Sequence, residues 1–238
     1  MKIWIPVIAL GIVAGLSGCN KENERLNAVT IVESQFQTST ENWIGGFSEF
    51  SSKTDTASLD TAIGRSRMPI AIDSTRYGLR IQGHNRSDDM FMFFKKKVIG
   101  LIPNRSYRIT FQVDFGTQFA QTSVGSGGSP GISTYLKAGA SSNEPVVTLK
   151  DGKYNININK GNQSESGTEM VVIGNASNGI DSTLYRLVAH SSNSSPLTIK
   201  ANANGVIWLC VGTDSGFEGL SIFYYDRIKA TLIEQISE

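Results

Sequence analysis

The sequence predicts an all-β fold, an antiparallel sandwich or barrel, on three observations. The stretch Tyr107–Phe115 places apolar residues at every odd position and polar ones at every even position, a period of two held over nine residues. About ten short strand-like segments follow one another between residues 77 and 233, separated by turn pairs such as Pro103-Asn104, Asp151-Gly152 and Asn204-Gly205. No amphipathic helical stretch stands out among them, which excludes a βαβ architecture.

The strand segments, in order, are Tyr77–Gln82, Met90–Val98, Tyr107–Phe115, Ile132–Lys137, Pro145–Leu149, Tyr154–Ile158, Glu169–Ile173, Leu184–Ala189, Leu197–Lys200, Val206–Gly212 and Ile222–Ile233. The alternating strand packs one face on a core and turns the other to water or a cleft. Ser126–Gly131 is low in complexity and reads as a loop. No fixed-period repeat appears, and no linker divides residues 29–238 into two domains.

Composition bounds the function. Lys plus Arg total 22 against 21 Asp plus Glu, a balance that argues against binding a phosphate backbone, so no nucleic-acid partner is expected. Lys95-Lys96-Lys97 is a local positive run with no aromatic-basic stripe extending it. Two His and two Cys cannot build a histidine- or cysteine-rich metal cluster. Hydrophobic content of 39%, with 11 Phe and 7 Tyr, supports a packed core.

Residues 1–18 have the layout of a secretory signal: Lys2, an apolar run from Ile3 to Leu16, then Ser17-Gly18 before Cys19. Fourteen apolar residues are too few to cross a hydrocarbon layer about 30 Å thick comfortably. Leu16-Ser17-Gly18-Cys19 resembles the lipobox of bacterial lipoproteins. The resemblance implies that Cys19 is acylated and becomes the new N-terminus, anchored in membrane lipid by several acyl chains such as palmitate. Asn20, in place of a retaining aspartate, favours the outer membrane, with the domain facing the periplasm or the surface. Residues 19–28 form the lipidated terminus and a tether. Cys210, inside Val206–Val211, is expected to be a small buried hydrophobe.

Two further segments resemble galactose-binding-like jelly rolls, the architecture of many carbohydrate-binding modules. Leu101-Ile102-Pro103-Asn104-Arg105-Ser106-Tyr107 is similar to their entry into a central strand, and Tyr225-Asp226-Arg227-Ile228 to their last strand. Glu33-Ser34-Gln35-Phe36, with Trp43 downstream, is similar to the opening strand, although Ser34-Gln35 stands where Gly or Asp is usual. The resemblance implies an antiparallel jelly-roll sandwich over residues 29–238. It also implies a structural calcium between Glu33 and Asp226, completed by backbone carbonyls. Arg227, next to Asp226, is the competing partner for a carboxylate.

The chemistry-bearing clusters lie in loops. Gly83-His84-Asn85-Arg86-Ser87-Asp88-Asp89 offers a base in His84, an anion clamp in Arg86 and hydroxyl acceptors in Asp88 and Asp89; a hairpin turn needs much the same composition, Asn85 included. Asp214-Ser215-Gly216-Phe217-Glu218-Gly219 pairs two carboxylates with an aromatic, which suits a carbohydrate contact, a metal loop or a tight turn. Their spacing does not set the separation that a glycosidase requires. Asn162-Gln163-Ser164-Glu165 is similarly polar. Gly127-Gly128-Ser129-Pro130-Gly131 matches a nucleophile elbow in letters only, because Pro130 has no N–H for an oxyanion hole.

Trp43, Phe47 and Tyr77 are the aromatic surfaces proposed for stacking on sugar rings, with a core role an equal alternative for Trp43 and core packing the favoured one for Tyr77; Trp208 is assigned to the core. The resulting expectation is a membrane-anchored, non-catalytic recognition module for carbohydrate. Its alternatives are a structural or protein-interaction lipoprotein of the envelope and a polysaccharide-active hydrolase or lyase.

Overall fold

The computed structural model describes residues 27–87 and 89–236. The signal, Cys19 and Asp88 lie outside them. In chain order the strands are β1 (Val29–Ser34), β2 (Ile44–Ser48), β3 (Phe50–Ser51), β4 (Ala62–Arg67), β5 (Tyr77–His84), β6 (Met90–Val98), β7 (Ser106–Thr117) and β8 (Thr134–Ser141). They continue with β9 (Val147–Lys150), β10 (Lys153–Ile156), β11 (Met170–Asn175), β12 (Arg186–Ser191), β13 (Leu197–Lys200), β14 (Ile207–Ser215) and β15 (Leu220–Gln235). Among the described residues no helix is long and apolar enough to cross a membrane.

The strands form two stacked antiparallel sheets. The first runs β12-β7-β15-β5-β4, with β13 added to β7 and β1 added to β15; the second runs β11-β8-β14-β6-β2. Each of β5→β6, β7→β8, β11→β12 and β14→β15 crosses between sheets, so the two orders mirror each other and make a jelly roll. The predicted antiparallel jelly-roll sandwich is the fold observed. A third, small sheet, β3-β10-β9, lies over part of the second sheet's outer face.

Alternation sorts the side chains. On β7, Tyr107, Ile109, Phe111, Val113 and Phe115 are buried, as their spacing requires. They meet Phe223, Tyr225, Ile228, Ala230 and Leu232 of β15, and across the sandwich Leu209 and Val211 of β14. Cys210, one step out of phase, points to the opposite face beside Phe91, Phe93, Ile158 and Met170, where burial pushes its thiol well up. It fills space there, as expected.

β2 and β4 fall outside the expected strands. β2 reads Ile44-Gly45-Gly46-Phe47-Ser48, and its glycines hide the alternation. Gly46 is required by the sheet: a Cβ there would stand 2.6 Å from the Phe93 ring. β4 is a polar edge strand whose Gly64 faces open space.

His190 lies on β12 opposite Val113, at the seam where the first sheet's edge approaches β11. Gly174 makes room for its ring, since a Cβ at that glycine would sit 2.1 Å from Nδ1. Nε2 is buried with no hydrogen-bond partner among the described residues, and burial holds the pKa below 6.5 despite a bond to the Ile173 backbone. The unfolded chain therefore binds the extra proton first, and stability contributed by neutral His190 is lost as pH falls below 6.5. We expect the melting temperature to drop by about 2–4 °C between pH 7 and pH 5. His190→Gln should flatten that slope, with His84→Gln as the control for the other histidine.

Candidate functional site

One end of the sandwich carries the connections β5–β6, β7–β8 and β14–β15. The β10–β11 connection joins them there by docking on β8 and β14. Asn85 ties two of the connections together. Its backbone N–H donates to the Gly219 carbonyl (3.2 Å), and its side-chain amide donates to the carbonyls of Ser215 (2.8 Å) and Phe217 (3.1 Å). The side chain is 3% exposed, so Asn85 is a clamp within the scaffold rather than a group presented to a ligand. Glu218 remains exposed and accepts from the Ser126 hydroxyl at 2.9 Å, binding the Gly-rich loop to the same rim. Ser129 of that loop accepts from the N–H groups of Gly131 and Ile132, which makes it a turn residue.

Beneath this rim lies a charge network that alternation alone would place on a solvent-facing sheet surface. Asp214 on β14 is fully buried and its Oδ2 receives Lys137 Nζ (2.9 Å), Lys160 Nζ (2.7 Å) and the Gln163 N–H (3.0 Å). Lys137, on the neighbouring β8, also donates to the carbonyls of Lys160 (2.8 Å) and Glu165 (3.0 Å). Lys160 reaches Glu49 at 3.3 Å, and Asp89, whose Oδ2 pairs with Lys153 at 2.8 Å, lies close enough to Glu49 and Lys160 to influence both. Three ammonium and three carboxylate groups thus pass from surface to interior.

Their titration follows from position. Burial pulls the Lys137 ammonium below the ordinary lysine range, and Asp214 opposes it. Burial also lowers Lys160, but Asp214 and Glu49 beside it more than offset this and hold it above that range. Burial pushes Glu49 up, with Lys160 opposing and the adjacent Asp89 adding to the rise. The chemistry of this cluster is mutual neutralisation. It pins the β10–β11 connection onto β8 and β14.

A broad concavity lies beside this network. It is a trough of about 590 Å³ on the outer face of the β9–β10 hairpin, lined by Thr148, Lys150, Asp151, Lys153, Asn155, Ile156 and Asn157. Lys153, which holds Asp89, forms part of its wall. Hydroxyl, amide, ammonium and carboxylate groups line it beside one apolar side chain, Ile156. Sequence reasoning missed it because the hairpin is short and none of its residues is individually unusual.

The remaining predicted residues are dispersed. Trp43 is 4% exposed, its indole N–H donating to Ser34 Oγ at 3.0 Å, so no ring face is open to a sugar. Phe47 packs against the same core. Tyr77 is half-buried with the Arg65 guanidinium 3.6 Å above its ring. His84 ends β5 opposite Leu220, with burial and Arg86 lowering its pKa, and Arg86 donates to the Ser58 carbonyl at 3.1 Å. Trp208, assigned to the core from its apolar neighbours, instead lies half-buried on the outer sheet face beside Lys95 and Lys97. Its even position in β14 is the signal that separates it from Leu209 and Val211.

The carboxylates proposed for calcium each face cationic side chains. Asp226 pairs with Arg76 at 2.5 Å, while Glu33 faces Arg227 (3.4 Å) and Lys229 (3.7 Å). Arg227 turns to Asp114 at 2.8 Å and not to its neighbour Asp226. Among the described residues no three His, Cys, Asp or Glu side chains gather as a metal-binding group. Cationic side chains thus face both carboxylates, while Asp226 Oδ1 is buried with no hydrogen-bond partner among the described residues.

No family model matches the sequence, and no curated protein matches it. Among solved structures the chain is similar to the active domain of bacteriophage CBA120 tailspike protein 4, at 12% identity and a TM-score of 0.37, over 82% of this chain and 20% of that one. It is similar to the CBM22-1–GH10 modules of Clostridium thermocellum xylanase 10B, crystallised with xylohexaose, at 13% identity and 0.40, over 90% of this chain and 29% of that one. A third is the mannan-recognising module TmCBM27, at 10% identity and 0.41, over 88% and 99%. The chain thus spans well under half the length of the first two.

Proposed function

We propose that this chain is a non-catalytic recognition module that binds polysaccharide, held at the outer membrane by acylated Cys19. The observation that carries the reading is the polar trough on the β9–β10 hairpin, continuous through Lys153 with the Asp89 loop. Its volume falls within the range of small-ligand sites, about 300–1,000 Å³. Lys153, paired with Asp89, ties the hairpin to the sandwich beside the ion network that pins the β10–β11 connection, so a ligand meets a pre-organised surface and little ordering cost opposes binding. Asp214, the deepest carboxylate, is committed to two lysines and is inaccessible to a substrate.

The test is saturable binding of the purified full chain to an oligosaccharide array, repeated with T148A/K150A. Both residues point away from the core. Affinity should fall about tenfold or more, the equivalent of about 1.4 kcal/mol, with an unchanged melting temperature. An array without specific binding, alongside crosslinking to one envelope protein, overturns the glycan reading in favour of protein interaction.

A further inference from the structure

The opposite end of the sandwich is built differently. The chain enters the fold there: the Ala28 carbonyl accepts from the Glu234 N–H (2.8 Å), and Glu234 holds Arg105 at 3.2 Å. The Arg105 carbonyl accepts from the Ala201 N–H at 2.8 Å, and the Leu101 N–H donates to the Gly205 carbonyl at 3.1 Å. The 99–105 connection therefore sits immediately beside residues 28 and 29. At its tip Ile99 is 71% exposed and Ile102 is 43% exposed, although the turn itself is rigid, with Tyr107 Oη accepting from the Ile102 N–H at 2.9 Å.

Cations flank this apolar tip on both sheets. Lys97 lies on the outer face of the second sheet directly opposite Trp208, and Lys200 and Arg108 lie on the outer face of the first. All three are exposed and none forms an ion pair with a described residue. The nearby acids are already engaged, Glu234 with Arg105 and Glu144 with Lys95. Exposed isoleucines at a tip, a half-buried tryptophan and unpaired lysine and arginine around them match the layered polarity of a bilayer surface: hydrocarbon, interface, anionic headgroups.

We propose that this end of the sandwich is a membrane-docking face, with Ile99 and Ile102 entering the interface and Lys97, Lys200 and Arg108 meeting anionic headgroups. The inference rests on the lipid-anchor reading for its geometry. Nine residues lie between Cys19 and Val29, a reach of at most about 35 Å over the ten steps, so an anchor at Cys19 keeps this end, where the chain enters the fold, within that distance of the bilayer. The domain then stands with its trough and loop rim available to ligand and with a fixed orientation.

The experiment uses the full chain with a single added cysteine, Ile102→Cys or Val124→Cys, carrying an environment-sensitive fluorophore. Val124 is 90% exposed at the loop-bearing end and serves as the far reference. The parent chain, labelled identically, sets the background from Cys19. In vesicles of phosphatidylethanolamine and phosphatidylglycerol bearing doxyl quencher, the label at 102 should shift to the blue and be quenched while that at 124 stays water-like. Adding K97E/K200E should reduce quenching at 102 by about twofold or more, and the loss should vanish in high salt.

Equal, water-like signals at 102 and 124 overturn the docking face. Protection of the 102 label in native envelope membranes, but not in protein-free vesicles, also overturns it and identifies a protein partner. Intact mass of the mature chain reads the anchor separately. Quenching at 102 in an unacylated chain supports the face and removes the anchor; an acylated chain with a water-like label at 102 does the reverse.

Discussion

Asp214→Ala is expected to destabilise the domain by about 3–5 kcal/mol, because it removes the carboxylate shared by two buried ammonium groups and, among the described residues, leaves Lys137 without a counter-ion and Lys160 with only Glu49. Lys137 and Lys160 both bind Asp214 Oδ2, and neither is more than 4% exposed. Water cannot replace the carboxylate without opening the β10–β11 connection. The cost is a large part of the stability of an ordinary domain, about 5–15 kcal/mol. The melting temperature should fall by roughly 10 °C, and the connection should exchange its amide hydrogens before the two sheets do.

Lys137→Met is the informative comparison. It removes one cation and its bonds to the carbonyls of Lys160 and Glu165, yet leaves the Asp214–Lys160 pair in place. The expected loss is smaller, about 1–3 kcal/mol. A Lys137→Met variant less stable than Asp214→Ala would show that the backbone carbonyls, and not the charge balance, hold the connection down. The same measurements bear on function. A trough mounted on a loosened hairpin should bind more weakly even though Thr148 and Lys150 are untouched.

The parts of this fold legible in the sequence are those fixed by local alternation. β7 announces itself over nine positions, and Met90–Val98 and Leu197–Lys200 are strands with the boundaries expected. Where a strand depends on something distant, the pattern fails. β2 is glycine-rich because side chains of other strands occupy the space its own would fill, Phe93 against Gly46 and Ile63 with Phe94 against Gly45. Lys137 alternates with buried Leu136 and Ala138 as an outward residue should, and only the roof formed by residues 157–167 makes it internal. The two loops chosen for their polar composition do converge, through Asn85, but the aromatic chosen to join them does not. Trp43 sits in a polar, glycine-rich stretch and is buried; Trp208 sits in an apolar run and is half-exposed. Hydrophobicity of neighbours leaves Trp43 open between core and ligand surface and misassigns Trp208, whereas sheet parity places Trp208 correctly.

That exchange of tryptophans sets the second large effect. Trp43→Ala should cost about 3–5 kcal/mol, the usual range for deleting a large buried aromatic. The indole fills the core beside buried neighbours and satisfies Ser34 Oγ, which also receives Lys96 Nζ at 3.0 Å. Trp43→Phe retains most of the ring and loses only the N–H donor, leaving Ser34 bonded to Lys96, so a loss of about 1 kcal/mol is expected. Denaturant unfolding at constant m-value reads both numbers. A ligand-stacking tryptophan would behave in the opposite way, with stability preserved in Trp43→Ala and glycan affinity abolished. A buried one predicts that Trp43→Phe, still folded, binds glycan as the parent does. Loss of binding in that variant would return Trp43 to the ligand surface and would require the core around Ser34 to open.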